Sequence, residues 1–231
     1  MIVYPAIVSD LEREPYPPRE TILWGSDMGS CVRKAILRTR AEPVSLPFSA
    51  SALGYMQAGN MWEAETLRAL QKAHPGIVTQ LELRTDLWSC KCDFVIGHNT
   101  GDPIIVEHKA TGDKWWNYKN GLPKPEHIGQ LWLYGNLYTQ KFGIVPKLVL
   151  FYRAWGHYAE YAIGQDGRNI VAAGEMDGTP VSKVLPIEPD QWKVELEFAF
   201  HEIELPPVLR NPDDGCLFNG KPSCAYYHSC W

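Results

Sequence analysis

Glu107 and Lys109 are separated by one residue in the run Ile104 to Ala110, whose composition predicts a strand. Residues two apart on a strand project from one face, so this carboxylate and this ammonium can act at one point while Val106 and His108 point the other way. Asp93 lies in the preceding strand-like run, Cys90 to Ile96, where alternation puts it with Val95 and opposite Cys92, Phe94 and Ile96. The intervening His98-Asn99-Thr100-Gly101-Asp102 reads as a hairpin loop, and that hairpin brings Asp93 toward Glu107. Two carboxylates on mostly apolar strands repel each other and are costly to bury, unless a hard divalent cation such as Mg²⁺ or Mn²⁺ shares their oxygens. Lys109 would then contact a phosphate or help activate water. The competing explanation of Glu-x-Lys on a strand is an exposed ion pair worth little.

Elements able to position these groups follow in order along the chain. A short basic helix carrying Arg33, Lys34, Arg38 and Arg40 is expected around Cys31 to Arg40, entered from Ser26 or Asp27 as the capping residue. A longer helix runs from about Ser51 to Ala73, with Leu53, Met56, Leu67 and Leu70 at helical spacing and Glu63 on the same stripe. Strands are expected at Ile77 to Arg84, Cys90 to Ile96 and Ile104 to Ala110, forming an antiparallel meander. A helix from Pro125 to Phe142, strands at Lys147 to Tyr152 and His157 to Ile163, and a helix from Glu188 to Glu204 burying Trp192, Leu196, Ala199 and Ile203 complete the pattern. The class is α/β. With no internal repeat or linker-like tract, residues 1–231 are expected to form a single domain.

Asp93, a hairpin and Glu107-His108-Lys109 together resemble the PD-(D/E)xK nuclease superfamily signature. Gln130-Leu131-Trp132-Leu133-Tyr134 adds the Q-x-x-x-Y motif of its RecB-like branch, and Gly59-Asn60-Met61-Trp62-Glu63 looks like that branch's first motif, whose last position is often His and sometimes Glu. The resemblance implies a restriction-endonuclease-like αβββαβ core over about residues 51–163, with a central mixed sheet flanked by helices. It also implies Asp93, Glu107 and Lys109 as catalytic residues, with Gln130 and Tyr134 positioning the strand. Glu63, Asp93, Glu107 and the backbone carbonyl of His108 would hold Mg²⁺ or Mn²⁺. Read singly, Glu63 is equally a helix residue snorkelling at the edge of the apolar stripe and Gln130 a solvated helix position. Their joint occurrence, in order and on compatible elements, favours the nuclease reading.

The six cysteines are unevenly spread: Cys31 near the start, Cys90 and Cys92 mid-chain, and Cys216, Cys224 and Cys230 near the end. Cys90 and Cys92 share the strand face opposite Asp93 and are expected in the core. One early and three late cysteines resemble the iron-sulfur subgroup of RecB-like nucleases, including the CRISPR-associated RecB-like exonucleases and AddB-type nuclease domains. That resemblance implies a 4Fe-4S cluster on Cys31, Cys216, Cys224 and Cys230, which would clip segments 20–45 and 186–231 together as a helical appendage. Seven residues separate Cys216 from Cys224 where that subgroup usually has two, so Leu217 to Ser223 reads as an insertion. A Zn²⁺ site on the same four thiolates is the rival, and unligated thiols the third reading.

The formal net charge of −5 argues at first against nucleic acid, whose phosphates are bound through Lys and Arg. Residues 186–214 carry a net −6, leaving +1 for the rest, so an acidic face is expected on the late helix and basic surface elsewhere. Arg33, Lys34, Lys114 and Lys119 are candidate DNA contacts. Trp115 and Trp116 could stack on unpaired bases, or equally pack the following helix. The expected partner is DNA, single-stranded or with free ends, and a protein partner in a recombination or CRISPR adaptation complex would suit the resemblance, as would phage DNA processing. With no apolar run of membrane-spanning length and no signal-like start, a cytoplasmic bacterial, archaeal or phage protein without membrane association is expected. Two alternatives are a non-catalytic DNA-binding adaptor with a relic nuclease fold and a zinc-stabilised structural protein.

Overall fold

The computed structural model describes residues 22–42, 50–111, 121–166 and 169–202, with the backbone of 217–218 and 221–222 and, for 50–53, no side chains. Eight strands form one mixed sheet: β1 (Leu23–Trp24), β2 (Val78–Arg84), β3 (Trp88–Ile96), β4 (Ile104–Ala110), β5 (Lys147–Ala154), β6 (His157–Asp166), β7 (Asn169–Met176) and β8 (Thr179–Leu185). Four helices flank it among the described residues: α1 (Val32–Thr39), α2 (Ala50–Ala73), α3 (Pro125–Phe142) and α4 (Pro189–His201). A separate pair, β9 (Leu217–Phe218) and β10 (Lys221–Pro222), is antiparallel. No helix is long and apolar enough to cross a membrane among the described residues.

β2, β3 and β4 form the expected antiparallel meander, and β4 then pairs parallel to β5, with α3 as the crossover between them. One edge of β3 serves two partners. β1 runs parallel to it at Trp88 and Ser89, and β4 pairs antiparallel with it at Phe94 to Ile96. Among the described residues the positions between, Cys90 to Asp93, have no strand neighbour on that edge, and a site can form in that fork.

α3 has Pro125 at its first position, where the missing N–H costs nothing, and ends at Gly143 (φ 71°), whose N–H donates to Thr139 O at 2.8 Å. Its buried stripe, Ile128, Leu131, Tyr134 and Tyr138, belongs to the main core with Leu83, Ile105, Leu150 and Tyr152. A β-carbon at Gly135 would stand 3.0 Å from Leu148, so the small residue sets how closely α3 lies on β5. Cys90 and Cys92 lie in this core, 3% and 0% exposed, as expected.

β6 continues three residues beyond the expected Ile163, and β7 and β8 extend the sheet where no strand was expected. In β7 the alternation is muted by small residues: its inward positions include Ile170 and Ala172, while Ala173 faces out. Gly174 has a reason of its own, since a β-carbon there would fall 1.8 Å from Glu160 O.

The entry to α1 departs from expectation. Cys31, without a side-chain capping bond, is its N-cap residue, while Ser26 and Asp27 lie in a preceding 3-10 turn, Gly25–Asp27. Gly29, at φ 68°, separates the two elements. Asp27 instead accepts the Trp24 N–H at 2.7 Å and pairs with Arg38, whose guanidinium lies 5.5 Å over the Trp24 ring. In α4, Leu196 and Ala199 are buried and Trp192 is half-buried, while Ile203 lies outside the described residues. Glu188, Asp190, Glu195 and Glu202 are exposed, giving the acidic surface that the charge distribution predicts.

Candidate functional site

Asp93 stands where both of β3's ladders are interrupted. On the β4 side the pairs Ile96↔Ile104, Val95↔Ile105 and Phe94↔Val106 end one step short of Asp93 facing Glu107. There the Asp93 side chain takes over a backbone role, its Oδ2 accepting the His108 N–H at 2.8 Å. On the β2 side Thr79↔Phe94 and Leu81↔Cys92 bracket the step at which Gln80 faces Asp93. Gln80 has φ 51°, a left-handed conformation that costs a residue with a β-carbon about 1–2 kcal/mol. Gln80, Asp93 and Glu107 thus form a row across three strands.

Glu107 projects from β4 toward α3 and is 2% exposed. Its Oε1 accepts from Lys109 Nζ at 2.6 Å and from Gln130 Nε2 at 2.7 Å. Gln130 also accepts from Lys109 Nζ through Oε1 at 3.0 Å and donates from Nε2 to the Tyr134 hydroxyl at 2.6 Å. A cation on its carbonyl side and an anion on its amide side fix which way the Gln130 amide points. One turn of α3 separates Gln130 from Tyr134, so the helix repeat itself aligns the pair. The other oxygen of the Glu107 carboxylate is the exception, because Oε2 is buried with no fixed donor among the described residues, and the Asp93 carboxyl lies within hydrogen-bonding reach of Glu107 when it carries a proton.

Glu63, half-buried on α2, closes the group. Its Oε1 accepts from Gln80 Nε2 at 3.1 Å. Burial and then the charge of Asp93 raise its pKa, while Gln80 and Lys109 pull it back, which places Glu63 within electrostatic reach of both Asp93 and Lys109. Burial first, and then Glu107, push the Asp93 carboxyl up to about 8, against the opposing pull of Lys109 and the His108 amide. Glu107 is also raised by burial, with Lys109 offsetting part of the effect. For Lys109, burial works against the ammonium but the Glu107 charge prevails, so its pKa lies above that of an ordinary lysine. Among the described residues Lys109 thus faces three carboxylates, all of them held above the usual range chiefly by desolvation.

α2 crosses β4 at Gly59, where a β-carbon would lie 3.3 Å from the Ala110 β-carbon. Beside this crossing a cleft of about 430 Å³ is lined by Tyr55, Met56, Gly59, Asn60, Glu63, His108, Lys109 and Ala110. Its α2 residues occupy one helical stripe. His108 packs on Phe151 with ring centroids 5.7 Å apart, and burial, then Arg153 and Lys109, lower its pKa to about 4, so the imidazole is neutral at pH 7. Tyr55 is 69% exposed at the rim. Neither Tyr55 nor Gln80 belongs to a sequence motif, and only a contact map could have drawn them to the site. Gly59 and Asn60 fall within the first-motif segment, which carries no role for them by itself.

The structure therefore brings together Glu63, Asp93, Glu107, Lys109, Gln130 and Tyr134, with His108 beside them. Among the described residues no three His, Cys, Asp or Glu side chains are gathered closely enough to hold an ion as they stand. Arg33 and Lys34 sit on α1, which packs against α4 and does not line the cleft. In the same helix Arg38 is committed to Asp27, and beyond its end Arg40 Nη2 donates to Glu202 O at 2.6 Å. Lys114, Trp115, Trp116 and Lys119 lie outside the described residues, as do Cys216, Cys224 and Cys230. Cys31 is described, partly exposed at the start of α1. The family models and the curated proteins compared with this chain give no match.

Proposed function

We propose that this protein is a divalent-metal-dependent deoxyribonuclease of the PD-(D/E)xK, RecB-like kind, acting on single-stranded DNA or DNA ends. The observation that carries the reading is the buried Glu107 beside the half-buried Asp93, on one face with Lys109, with a Glu107 Oε2 that has no fixed donor among the described residues. A desolvated carboxylate oxygen lacking a donor is destabilising unless a cation takes it up. Hard oxygen donors of this kind fit Mg²⁺ or Mn²⁺, so Asp93 and Glu107, joined by Glu63 and the His108 carbonyl, would hold the ion. That ion would supply Lewis acidity toward the phosphate and a more acidic bound water. The order α2–β2–β3–β4–α3–β5 supports the αβββαβ core that this family uses.

Each side chain then has a defined task. Lys109, held by Glu107 and Gln130, presents its ammonium to the phosphate and offsets the charge that develops during cleavage. Gln130, anchored by Tyr134, keeps Lys109 and Glu107 in register. The cleft between α2 and β4 admits the strand, with Tyr55 at its rim offering a ring to an unpaired base. For the appendage, the proposed 4Fe-4S ligands are Cys31 with Cys216, Cys224 and Cys230, with Zn²⁺ as the rival. Cys31 is a thiol at a helix start, and the chain leaves α4 beside α1. In either case the metal would act structurally.

The reading is tested with the intact protein purified anaerobically. End-labelled single-stranded and blunt duplex DNA are incubated with Mg²⁺, Mn²⁺ or EDTA. Cleavage that requires the divalent ion is expected. Absence of cleavage with either ion, or cleavage indifferent to EDTA, contradicts it.

A further inference from the structure

We infer that Gln80 is a positioning residue for the metal-binding carboxylates, holding Glu63 over the Asp93–Glu107 pair. The inference deepens the nuclease reading and rests on it. Three features of β2 point the same way. Gln80 faces Asp93 across the strand pair at the step the ladder omits. Its backbone is left-handed at φ 51°, in the middle of a strand where no turn requires it. Its side-chain amide donates to Glu63 Oε1 at 3.1 Å, making the link between β2 and the carboxylate of α2.

Glu63 needs such a tether. Its helix touches the sheet chiefly along β4, and most of the residues around it on α2 are exposed, so packing alone leaves its side chain free to swing into solvent. An amide is the right chemistry. It binds one carboxylate oxygen through N–H and leaves the other oxygen for a cation, whereas a lysine or arginine at this place would compete with that cation. β2 shifts its alternation at this residue, since Val78 and Leu81, three apart, both pack against the core.

Gln80→Gly and Gln80→Ala separate the two contributions. Both delete the amide, but only glycine relieves the left-handed strain. The metal-free Gln80→Gly variant should therefore melt at or above the wild-type temperature and the Gln80→Ala variant below it. Mn²⁺ affinity, measured by calorimetric titration without DNA, is expected to fall about tenfold in both variants alike. With Glu63→Ala already present, Gln80→Gly should cause no further loss, because the amide acts only through Glu63. The inference is overturned if Mn²⁺ affinity is unchanged in Gln80→Gly, if it follows melting temperature rather than loss of the amide, or if the two losses add. Wild-type protein that binds no Mn²⁺ would overturn the nuclease reading and this inference with it. A Glu63→Ala effect without a Gln80→Gly effect removes the inference alone.

Discussion

Replacing Lys109 with methionine is expected to lower the rate of metal-dependent DNA cleavage by about 10²–10³-fold while leaving the fold intact. Methionine keeps the unbranched aliphatic stem and the volume but deletes the ammonium that meets Glu107 Oε1 at 2.6 Å and Gln130 Oε1 at 3.0 Å. The loss should appear in kcat more than in KM, because the charge it offsets develops during cleavage and the ground-state strand is held by other contacts. Lys109→Arg should not restore activity, since a forked guanidinium cannot occupy a point between one carboxylate oxygen and one amide oxygen. Single-turnover cleavage of end-labelled DNA, with circular dichroism to confirm folding, measures both variants. Retention of more than a tenth of wild-type kcat in Lys109→Met would remove Lys109 from the chemistry.

The second large effect is on stability. Asp93 is raised to about 8 from an ordinary value of 3.8, so between these limits the metal-free fold retains a proton that the unfolded chain has released. Its contribution is therefore fully present below pH 4 and is lost as pH rises through about 8, at up to about 1.4 kcal/mol per pH unit where this group dominates. Metal-free protein should lose melting temperature across that window, and Mn²⁺ should restore it more at pH 8.5 than at pH 6, because the ion competes with the proton. Asp93→Asn keeps an oxygen to accept the His108 N–H but has no proton to lose. It should flatten the metal-free profile, abolish most of the Mn²⁺ effect and eliminate cleavage. Thermal melts across pH 5 to 9, with Mn²⁺ or EDTA, measure all of this. An Asp93→Asn profile as steep as wild type would assign the titration elsewhere.

The parts of this site that could be read from sequence are those set by local periodicity. Glu107 and Lys109 share a face because strands alternate, and Gln130 and Tyr134 align because four residues make about one helical turn. The bounds of β4 and α3 coincide with those expected from apolar patterning. Asp93 opposite Glu107 required a register, and the hairpin loop supplied it. Non-local and strained features were hidden. Gln80 and Glu63 meet from different elements at a left-handed break in β2, and Tyr55 belongs to the cleft only because α2 crosses β4 at Gly59. β7 escaped because alanine and glycine blur the inside–outside contrast on which strand detection depends, and β8 because Pro180 interrupts its short run. The cap of α1 was misassigned because Asp27, chemically a good cap, is held by Arg38 and the Trp24 amide.

The central claim is that Asp93 and Glu107 hold a catalytic divalent ion beside Lys109. A crystal of the Lys109→Met protein grown with Mn²⁺ and a short single-stranded oligonucleotide tests it most directly, through the anomalous signal of the ion. The account predicts Mn²⁺ bound to Asp93 and to Glu107, including the Oε2 that has no fixed donor among the described residues, with a phosphate of the oligonucleotide in the cleft beside residue 109. Saturating Mn²⁺ that leaves both carboxylates without an ion, or a strand bound on another face of the molecule, would contradict it.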